Sequence, residues 1–529
     1  MIFAKLQLFF FFISYFVYKL VDADIVTCYP HAYICIILIR NLFIMRIPIT
    51  RKPNRFMPDP RRVIIRYFDN GIDRTIALIE RVIAMPEQEA GFALMHTLRE
   101  FSRRHRNITN VFNCHFARVK DQMESLKIPL NGLSEDKKLL IGSYFSLEYS
   151  IESAAFFNPS MIESPDQTGL EKGSKRIIVS FRATGEGHIS SIVFHSGLID
   201  KSGILHFEKP GRYVEEAEMV KRYKYKKTSF TSKLREMNLP EPIVENVMSR
   251  LGDEFIYGEL LHSVNQTLAE NNASAEKRQA IEEIVWLADS HYEVQFSRDT
   301  DISERVIFPV SFTERKGIED ARFVRFTEDN QTVYYATYTA YDGNTILPKL
   351  IHTTDFYHFT IKPLHGPGAQ NKNMALFPRK VKGKYAMLSR IDGINSYIGF
   401  SDKINLWDQP TLLQAPNRFW EFIQIGNCGS PIETAEGWLV ITHAVGPVRQ
   451  YCLSATLLDL DDPTRVIGHL KEPLLVPNAS EREGYVPNVV YSCGSMVHNN
   501  ELIIPYGLSD TGAGFASVNM DELLKELKS

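Results

Sequence analysis

From Phe308 to the end of the chain, short β-rich runs alternate with turn signals, and this pattern limits the possible folds more than any other feature. The runs include Trp438 to Thr442 and Glu501 to Tyr506, and Gly, Asn, Asp and Pro mark the turns between such runs. The units recur at about forty to fifty residues, a period that is typical of propeller blades. We therefore predict an all-β domain over residues 301–529, in which only the last residues, from Met520, are helical.

The stretch from Gly317 to Tyr341 gives the clearest local prediction within this domain. An acidic pair, Glu319 and Asp320, precedes an alternating apolar run, a turn at Asp329-Asn330 and a second β-rich run. This order predicts a β-hairpin with carboxylates at its mouth. Adjacent strand residues point to opposite faces, so we expect at most one of the two acids to face a cleft and Arg322 to pair with the other. The alternative is a solvated strand end with an ordinary surface ion pair.

Helical periodicity interrupts the β pattern in two upstream blocks. In the first block, apolar residues at three-to-four spacing predict three helices, over Ile72 to Met85, Glu87 to His105 and Thr109 to Leu126. The second block is entered through the charged run Lys221 to Lys227 and fits packed helices better than a membrane surface. We interpret both blocks as insertions into one β domain.

The predicted organisation has six segments in chain order. They are an apolar N-terminal segment (1–48), a first strand (49–70), a helical insertion (71–135), a β segment (136–210), a second helical insertion (211–300) and the β segment 301–529.

The first 45 residues differ from the rest of the chain. Leu6 to Leu20 is almost wholly apolar and follows Lys5, the order of a secretory signal or a short membrane anchor, but no clean small-x-small cleavage site is present. A third interpretation is that translation begins at Met45. We expect a cytoplasmic protein, with export or membrane anchoring through residues 1–45 as the alternative.

Charge and cysteine content exclude several function classes. The 60 basic and 63 acidic residues give a net charge of -3, which does not indicate a nucleic-acid partner. The six cysteines form no C-x-x-C motif and no His/Cys cluster at metal-ligand spacing, so neither a metal site nor a disulfide framework is predicted.

Six strings in the second half of the chain carry a family resemblance. They read, in order, G-I-E-D-A-R, Y-T-A-Y-D-G, N-M-A-L-F-P-R-K-V-K-G-K-Y-A-M-L-S-R, E-G-W-L-V-I-T-H-A-V, L-L-D-L-D-D-P-T-R-V-I and V-P-N-V-V-Y-S-C-G. Together they closely resemble glycoside hydrolase family 130, the family of β-mannoside phosphorylases and related β-mannosidases. The resemblance is continuous from about Pro309 to Leu524 and weaker from Arg51 to Phe207. It implies a mainly β fold, a five-bladed β-propeller with two helical insertions.

The resemblance implies that Asp320 is the general acid, because it occupies the Asp of the family motif G-x-E-D-P-R, in which Ala321 here replaces Pro. In the family this Asp is thought to protonate the glycosidic oxygen through a sugar hydroxyl while phosphate or water attacks the opposite face, which inverts the anomeric carbon. The chemistry needs a protonated acid near neutral pH. We therefore expect Asp320 to be desolvated or held next to Glu319.

The resemblance also implies two sets of binding residues. The predicted sugar-binding residues are Asn158, Arg182, Ser190 or Ser191, Glu319 and Asp510. The predicted phosphate-binding residues are Lys372, Asn373, Arg390 and His443. The phosphate cradle is partial, because Gln424 replaces a phosphate-binding Lys of the family and Cys452 stands where Arg is frequent. Each sugar-binding candidate also has a structural alternative, for example Asn158 before Pro159 as a turn residue.

Three functions follow from these residues. The first is an inverting phosphorylase that cleaves short β-manno-oligosaccharides with phosphate as co-substrate and needs no other cofactor. The second is an inverting β-mannosidase, which would need a carboxylate base such as Glu421, Glu433 or Glu483. The third is a propeller that binds glycans without cleaving them. In each case an oligosaccharide is the partner, and the helical additions could form a contact between subunits of a homo-oligomer or a lid.

Overall fold

The structure is a computed structural model that describes residues 47–529 except 129, 221–223, 270–273 and 330. The chain divides into two compact units, Met1–Pro48 and Ile49–Ser529. The predictions for the apolar N-terminal segment fall almost wholly outside the described residues. Within those residues, no helix has the length and hydropathy that a membrane crossing requires.

The second unit is mainly β and carries two groups of helices. Its strands in the first half are β1 Thr50–Phe56, β2 Val63–Tyr67, β3 Ser146–Ser150, β4 Ala155–Glu163, β5 Lys175–Thr184, β6 Ser190–Ile199, β7 Leu205–Phe207, β8 Glu215–Glu216, β9 Glu218–Val220, β10 Lys224–Lys226, β11 Glu254–Ile256, β12 Tyr292–Gln295 and β13 Arg305–Ile307. The remaining strands are β14 Gly317–Glu328, β15 Gln331–Tyr341, β16 Ile346–Thr353, β17 His358–Pro363, β18 Lys372–Leu376, β19 Tyr385–Arg390, β20 Ser396–Ser401, β21 Thr411–Gln414, β22 Gln424–Asn427, β23 Ile432–Thr434, β24 Gly437–Val445, β25 Tyr451–Leu458, β26 Val466–His469, β27 Val490–Tyr491, β28 Met496–His498, β29 Glu501–Leu508 and β30 Gly512–Asn519. The helices are α1 Ile72–Ala84, α2 Glu87–Phe101, α3 Ile108–Ser125, α4 Glu135–Tyr144, α5 Lys227–Glu236, α6 Glu241–Ser249, α7 Tyr257–Ala269, α8 Ala275–Asp289 and α9 Met520–Leu527.

Five larger sheets of four to six strands contain most of these strands. Sheet A has the order β4-β5-β6-β13-β8, with β7 also on β6, and sheet B has the order β14-β15-β16-β17-β12-β9. Sheet C is β18-β19-β20-β21, and sheet D is β22-β24-β25-β26 with β23 also on β24. Sheet E is β1-β30-β29-β27 with β28 also on β29. Nearly all of these pairings are antiparallel, and β8 with β13 is parallel.

Successive sheets share hydrophobic clusters, and this packing sets their neighbours. Sheets A and B meet around Phe194 and Phe323, and sheets B and C meet around Leu350 and Trp407. Sheets C and D meet around Phe377 and Trp438, two buried rings with centroids 5.0 Å apart. Sheet D meets sheet E where Tyr451 packs on Tyr491, and sheet E meets sheet A through Phe515 and Phe181. Burial of these aromatic side chains contributes a large share of the hydrophobic stabilisation.

The helices form two cores of their own. Helices α1–α4 enclose one core around Val119, Met123 and Ile141, and helices α5–α8 enclose another around Val247, Leu260 and Ile284. The predictions for α1–α3 and for the C-terminal helix are confirmed. Helix α9 begins after Asn519, whose side-chain oxygen accepts hydrogen bonds from the amides of residues 521 and 522.

Three boundary predictions are wrong. Residues 49–70 contain two strands that belong to different sheets, because the turn at Asp59 and Pro60 separates them. Strand β1 joins sheet E, and among the described strands β2 pairs with β3 alone. Helix α4 runs into residues 136–144, which were predicted as β. The block 211–300 is not wholly an insertion, since β8, β9 and β12 are strands of sheets A and B.

Candidate active site

One cavity of about 250 Å³ draws side chains from all five larger sheets. Its lining residues are Asn158 and Arg182 from sheet A; Glu319 and Asp320 from sheet B; Lys372, Asn373 and Arg390 from sheet C; Gln424, His443, Arg449 and Tyr451 from sheet D or its loops; and Val486, Val489, Tyr491 and Asp510 from sheet E or its loops. Three carboxylates therefore share one small space with four cationic side chains.

A β-bulge brings both members of the acidic pair to this cavity. The hairpin β14–β15 forms as predicted, but its register shifts between Glu319, opposite Thr339, and Arg322, opposite Thr337. Asp320 in the bulge has φ of 55°, in the left-handed region. The extra residue breaks the alternation of faces, so both carboxylates line the cavity and the expectation that only one would do so is wrong.

Arg322 forms no salt bridge with Glu319 or Asp320 in the described structure, so its predicted pairing with the acid that faces away from the cleft is wrong. Its Nη1 donates to the backbone oxygen of Asp320 at 2.9 Å and its Nη2 donates to the Tyr491 hydroxyl at 2.6 Å. The guanidinium is buried directly beneath the bulge. Arg322 therefore fixes the bulge and places a positive charge close to the Asp320 carboxylate.

Glu319 is instead held by two cations from the neighbouring sheets. Arg182 Nη2 lies 3.1 Å from Glu319 Oε1, and Lys372 Nζ lies 2.6 Å from Glu319 Oε2. This arrangement joins sheets A, B and C by one carboxylate. It also leaves Glu319 ion-paired, so Glu319 is poorly suited to act as a base.

Asp320 is held as a carboxylate by its surroundings. Asn158 Nδ2 donates to Asp320 Oδ1 at 2.8 Å, and Arg182 Nη1 lies 3.6 Å from the same oxygen. Burial favours the neutral form, but the charges of Arg182 and Arg322 and the bond from Asn158 outweigh it and lower the pKa of Asp320. Asp320 is desolvated and adjacent to Glu319 as expected. In the free protein the lowered pKa favours the ionised form, whereas the chemistry predicted for Asp320 needs the protonated form.

Asp510 is the second aspartate of the cavity, and its pKa is raised where that of Asp320 is lowered. It lies in the turn between β29 and β30, with φ of 52°. Burial and the negative charge of Asp320 raise its pKa to about 6, although Arg182 and Arg449 oppose the shift. The cavity thus holds one ionised and one readily protonated aspartate.

Sheets C and D supply hydrogen-bond donors around Arg390. Arg390 Nη1 lies 3.1 Å from His443 Nε2, and His443 Nδ1 lies 3.2 Å from the backbone oxygen of Asn427. Burial and the charges of Arg390 and Arg322 lower the pKa of His443 well below its usual value, so the ring is neutral, and these partners assign its proton to Nδ1. Arg390 Nε is buried and has no hydrogen-bond partner within the described residues. This donor is available to a bound anion.

Asn373 connects this group to the bulge. Its Nδ2 donates to the backbone oxygen of Asn427 at 3.2 Å and to the Tyr491 hydroxyl at 3.1 Å. The same hydroxyl accepts from Arg322. The Asp320 side of the cavity and the Arg390 side are therefore joined by one buried polar network.

The structure places most of the predicted site residues at this cavity and excludes others. Asn158, Arg182, Glu319, Asp320, Lys372, Asn373, Arg390, His443 and Asp510 line it, whereas Ser190 and Ser191 do not. Ser190 Oγ donates to the backbone oxygen of Ile318 at 2.9 Å, and both serines are fully buried. Their sugar contacts stay a prediction that the described structure does not support. Asn158 lies within strand β4, at a register shift between Phe157 and Ser160, with φ of 49°, so the alternative of a turn residue is wrong.

None of the three glutamates proposed as a hydrolytic base lines the cavity. Glu421 is fully buried and accepts from the amides of Asn417 and Arg418. Glu433 pairs with Arg379 at a partly exposed edge, and Glu483 is exposed. Within the described residues, no group of three or more His, Cys, Asp or Glu side chains is arranged to hold a metal ion.

Several lining residues were missed by sequence reasoning. Arg449 lies in a tight turn in which Val448 and Arg449 both have positive φ, and Tyr451 follows this turn at the start of β25. Tyr491 lies in the short strand β27. Gln424, which was predicted to replace a phosphate-binding Lys of the family, also lines the cavity, with Nε2 3.5 Å from the Tyr451 hydroxyl. The string V-P-N-V-V-Y-S-C-G contained Tyr491, but nothing in its spacing distinguished this tyrosine from a core residue.

Comparisons with known proteins show which proteins the chain is similar to. A family model described as β-1,4-mannooligosaccharide phosphorylase matches residues 275–529. The chain is 38% identical over 219 residues to 1,2-β-oligomannan phosphorylase of Thermoanaerobacter sp. (strain X514), covering 40% of this chain and 71% of that protein. It is 30% identical over 230 residues to β-1,2-mannobiose phosphorylase of Listeria innocua serovar 6a, covering 42% of this chain and 63% of that protein. The solved structure of a Listeria innocua β-1,2-mannobiose phosphorylase with β-1,2-mannobiose aligns with a TM-score of 0.42 and 21% identity, covering 71% of this chain and 92% of that one.

Proposed function

Because the chain belongs to glycoside hydrolase family 130, we propose that it is an inverting phosphorylase that cleaves the β-mannosidic bonds of short manno-oligosaccharides with inorganic phosphate. The products are mannose 1-phosphate and the shortened sugar. Phosphate is the only co-substrate in this proposal. An oxygen of phosphate forms the new bond to the anomeric carbon from the face opposite the leaving group, so the configuration inverts.

The observation that carries this proposal is the distribution of charge among the sheets. The three carboxylates of the cavity come from sheets B and E, which both pack against sheet A. Arg390, neutral His443, Gln424 and Arg449 come from sheets C and D. Arg390, Gln424 and Arg449 can donate to a bound anion, whereas neutral His443 accepts from Arg390 and so orients it. A sugar bound in this cavity would have both the carboxylates and these anion-binding donors within one space, as single displacement by phosphate requires.

The donors of sheets C and D are suited to a phosphate dianion. Arg390 offers a buried Nε that has no partner in the described part of the chain, and a guanidinium can bind two phosphate oxygens at once. Arg449, an exposed residue of the cavity wall, offers a positive charge that Gln424 does not supply. The sequence predicted a phosphate site that lacks one cation at position 424, and Arg449 supplies a cation to the cavity from another position.

Asp320 is the proposed general acid, and its protonation is coupled to phosphate binding. In the free protein Arg182, Arg322 and Lys372 all favour the ionised form of Asp320. A phosphate with up to two negative charges counters this positive field and raises the pKa of Asp320. The proton then passes through a sugar hydroxyl to the leaving oxygen as the bond to the anomeric carbon breaks.

We also propose that the five larger sheets are the blades of a five-bladed propeller. The cyclic order of shared hydrophobic clusters, from sheet A through E and back to A, supports this architecture. So does the pairing of β1, from the start of the unit, with the C-terminal strand β30. A cavity lined by all five sheets is then the central channel.

Product analysis tests the proposed function. The protein is incubated with β-1,2-mannobiose, β-1,4-mannobiose and the matching trisaccharides, with and without phosphate, because the names of the matched relatives and family model include both linkages. Mannose 1-phosphate formed only with phosphate supports phosphorolysis. Free mannose at the same rate in both conditions contradicts it and identifies a hydrolase. Sugar binding without turnover of any substrate identifies a non-catalytic glycan-binding protein.

A further inference from the structure

A second polar cavity, of about 190 Å³, lies where the second helical block meets sheet B. Strand β10 and the start of helix α5 form one wall, and the end of β17 with the loop after it forms another. Lys224, Lys226 and Lys362 line this basic cavity, together with Ser229, His365 and Asn405. None of its described lining residues is an acid, and none is shared with the active-site cavity.

His365 is a buried polar residue that the protein leaves unsatisfied. Its side chain is 2% exposed, and neither ring nitrogen has a hydrogen-bond partner within the described residues. Its backbone is fixed, because the amide donates to the oxygen of Asn405 and the carbonyl accepts from the amide of Trp407. Burial and the charges of Lys233 and Lys362 lower the pKa of His365 to about 3, so the ring is neutral and offers one N–H donor. Buried polar groups are normally paired, and an unpaired one at a cavity indicates a missing ligand.

Lys362 is a partly buried cation without an ion-pair partner among the described residues. Burial and the charge of Lys226 lower its pKa, and no carboxylate offsets them. Two like charges held close together in a partly desolvated space are unfavourable. A bound anion would relieve this repulsion.

The start of helix α5 adds to the positive potential. Lys226 is the N-cap residue and provides no side-chain cap, the first turn contains no acid, and Ser229 of that turn lines the cavity. The amide of Lys227 donates to the backbone oxygen of Asp253 at 2.9 Å, but the helix dipole still favours an oxyanion at this end of the helix.

From these four features we propose that the basic cavity is a binding site for a phosphoryl group, distinct from the active site. Lys226 and Lys362 provide the charge, and Ser229, His365 and Asn405 provide neutral hydrogen bonds. The volume corresponds to about six liquid water molecules, enough for a tetrahedral oxyanion with water or with part of an attached sugar. A ligand here would bind residues of both β10–α5 and β17, and so would join the helical block to sheet B.

Isothermal titration calorimetry with inorganic phosphate tests this site in the full-length protein. The Arg390→Gln variant weakens phosphate binding in the active-site cavity, and lysine variants of the basic cavity then show where the remaining phosphate binds. We expect one remaining phosphate per chain in this variant. Adding Lys362→Gln should weaken that binding about tenfold or more, because a charge-assisted contact is lost. Lys172→Gln, an exposed lysine of a turn in sheet A, is the matched control and should leave it unchanged.

Two further measurements distinguish free phosphate from a sugar phosphate as the ligand and control for a variant that does not fold. Lys226→Gln changes an exposed side chain and should weaken phosphate binding even if Lys362→Gln unfolds the protein. Tighter binding of mannose 1-phosphate than of phosphate identifies a sugar phosphate as the ligand, and the reverse order identifies free phosphate. Both orders support the site. Absence of binding of either ligand to the Arg390→Gln variant, or equal affinity in the Lys226→Gln and Lys172→Gln variants, overturns it. Because the readout is binding and not turnover, it does not depend on the proposed function.

Discussion

At Asp320 the neighbouring positive charges lower the pKa of the carboxyl group by more than burial raises it. Asn158, Arg182 and Arg322 favour its ionised form, so the acid must gain its proton after ligands enter the cavity. We predict that Asp320→Asn lowers kcat/KM for mannobiose phosphorolysis by about 10²-fold or more, the usual contribution of a general acid. Binding of the sugar, followed by calorimetry, should persist. Asp461→Asn, an exposed aspartate, is the control. Turnover of Asp320→Asn at the rate of the parent would rule out the assigned role.

Asp510 should make the stability of the protein depend on pH. Burial and the charge of Asp320 raise its folded pKa to about 6, above the unfolded value. A raised carboxyl pKa means that the folded state holds the proton more tightly, so the associated stability is present at low pH and is lost as the pH rises through about 6.

We therefore predict that Asp510→Asn raises the Tm at pH 7.5 relative to the parent, with little difference at pH 4. The effect at high pH is at most about 3 kcal/mol, since one pKa unit is worth about 1.4 kcal/mol. Thermal unfolding at a series of pH values measures it, with Asp461→Asn as control. An increase in Tm that is the same at both pH values would show that the carboxyl group does not titrate as described.

Site residues could be predicted from sequence where the family motif fixed them, and not where the backbone departs from regular geometry. The family motif was enough to predict that Asp320 lies in the site. The bulge that also brings Glu319 to the cavity depends on the pairing of β14 with β15, and the sequence alone does not indicate it. The sequence could not show that Ser190 and Ser191 are buried away from the cavity, because a strand end does not reveal which side chains the next sheet covers. Arg449 was missed since its position depends on a turn with two residues of positive φ.

At the scale of elements, Gly317 sets how closely the acidic hairpin approaches sheet A. Gly317 has φ of 132°, and a Cβ added there would lie 2.4 Å from Ser190 Oγ and 2.9 Å from its backbone nitrogen. Such an approach would force β14 away from β6 and displace the bulge three residues later.

We predict that Gly317→Ala destabilises the protein by about 2–4 kcal/mol, through backbone strain and overpacking together, and lowers kcat/KM at least tenfold. Gly383→Ala is the matched control, because Gly383 has φ of 79° and no atom within 4 Å of the added Cβ. It should cost about 1 kcal/mol and leave activity unchanged. Chemical unfolding and steady-state kinetics measure both effects. Equal losses in the two variants would show that the contact with Ser190 is unimportant.

Elements with strong periodicity could be predicted from sequence, and elements without it could not. Helices α1–α3 carry regularly spaced apolar residues and were found. Helix α4 was assigned to strand because Leu139, Leu140 and Ile141 are consecutive, a pattern that fits a buried strand as well as a buried helix. Its actual start is marked by the Ser134 side chain, which accepts from the amide of Lys137. The short strands β10 and β11 pair with each other, and neither has a local sequence pattern that predicts a strand.

At the scale of the whole molecule, strand β1 connects the start of the described unit to its C-terminal sheet. Thr50 lies opposite Ser517 and Phe56 lies opposite Ala513, so two segments far apart in sequence share one ladder. Such long-range pairing is slow to form and costs conformational entropy. Side-chain contacts between β1 and sheet E must therefore help to hold the strand.

Arg51 provides one of these contacts, a two-point ion pair with Glu481. Its Nε and Nη2 bind Glu481 at 2.9 and 3.0 Å, and Glu481, which is 2% exposed, also accepts from Tyr506. We predict that Arg51→Gln destabilises the protein by about 2–3 kcal/mol, less than for a fully buried pair because Arg51 is partly exposed. Arg61→Gln, which breaks an exposed pair with Asp59, is the control and should change the Tm little.

The Arg51 effect should shrink as the pH falls through the lowered pKa of Glu481, because protonation removes the charge that Arg51 stabilises. If both variants lower the Tm equally, or if the Arg51 effect persists unchanged in acid, the ion pair does not hold β1 in place.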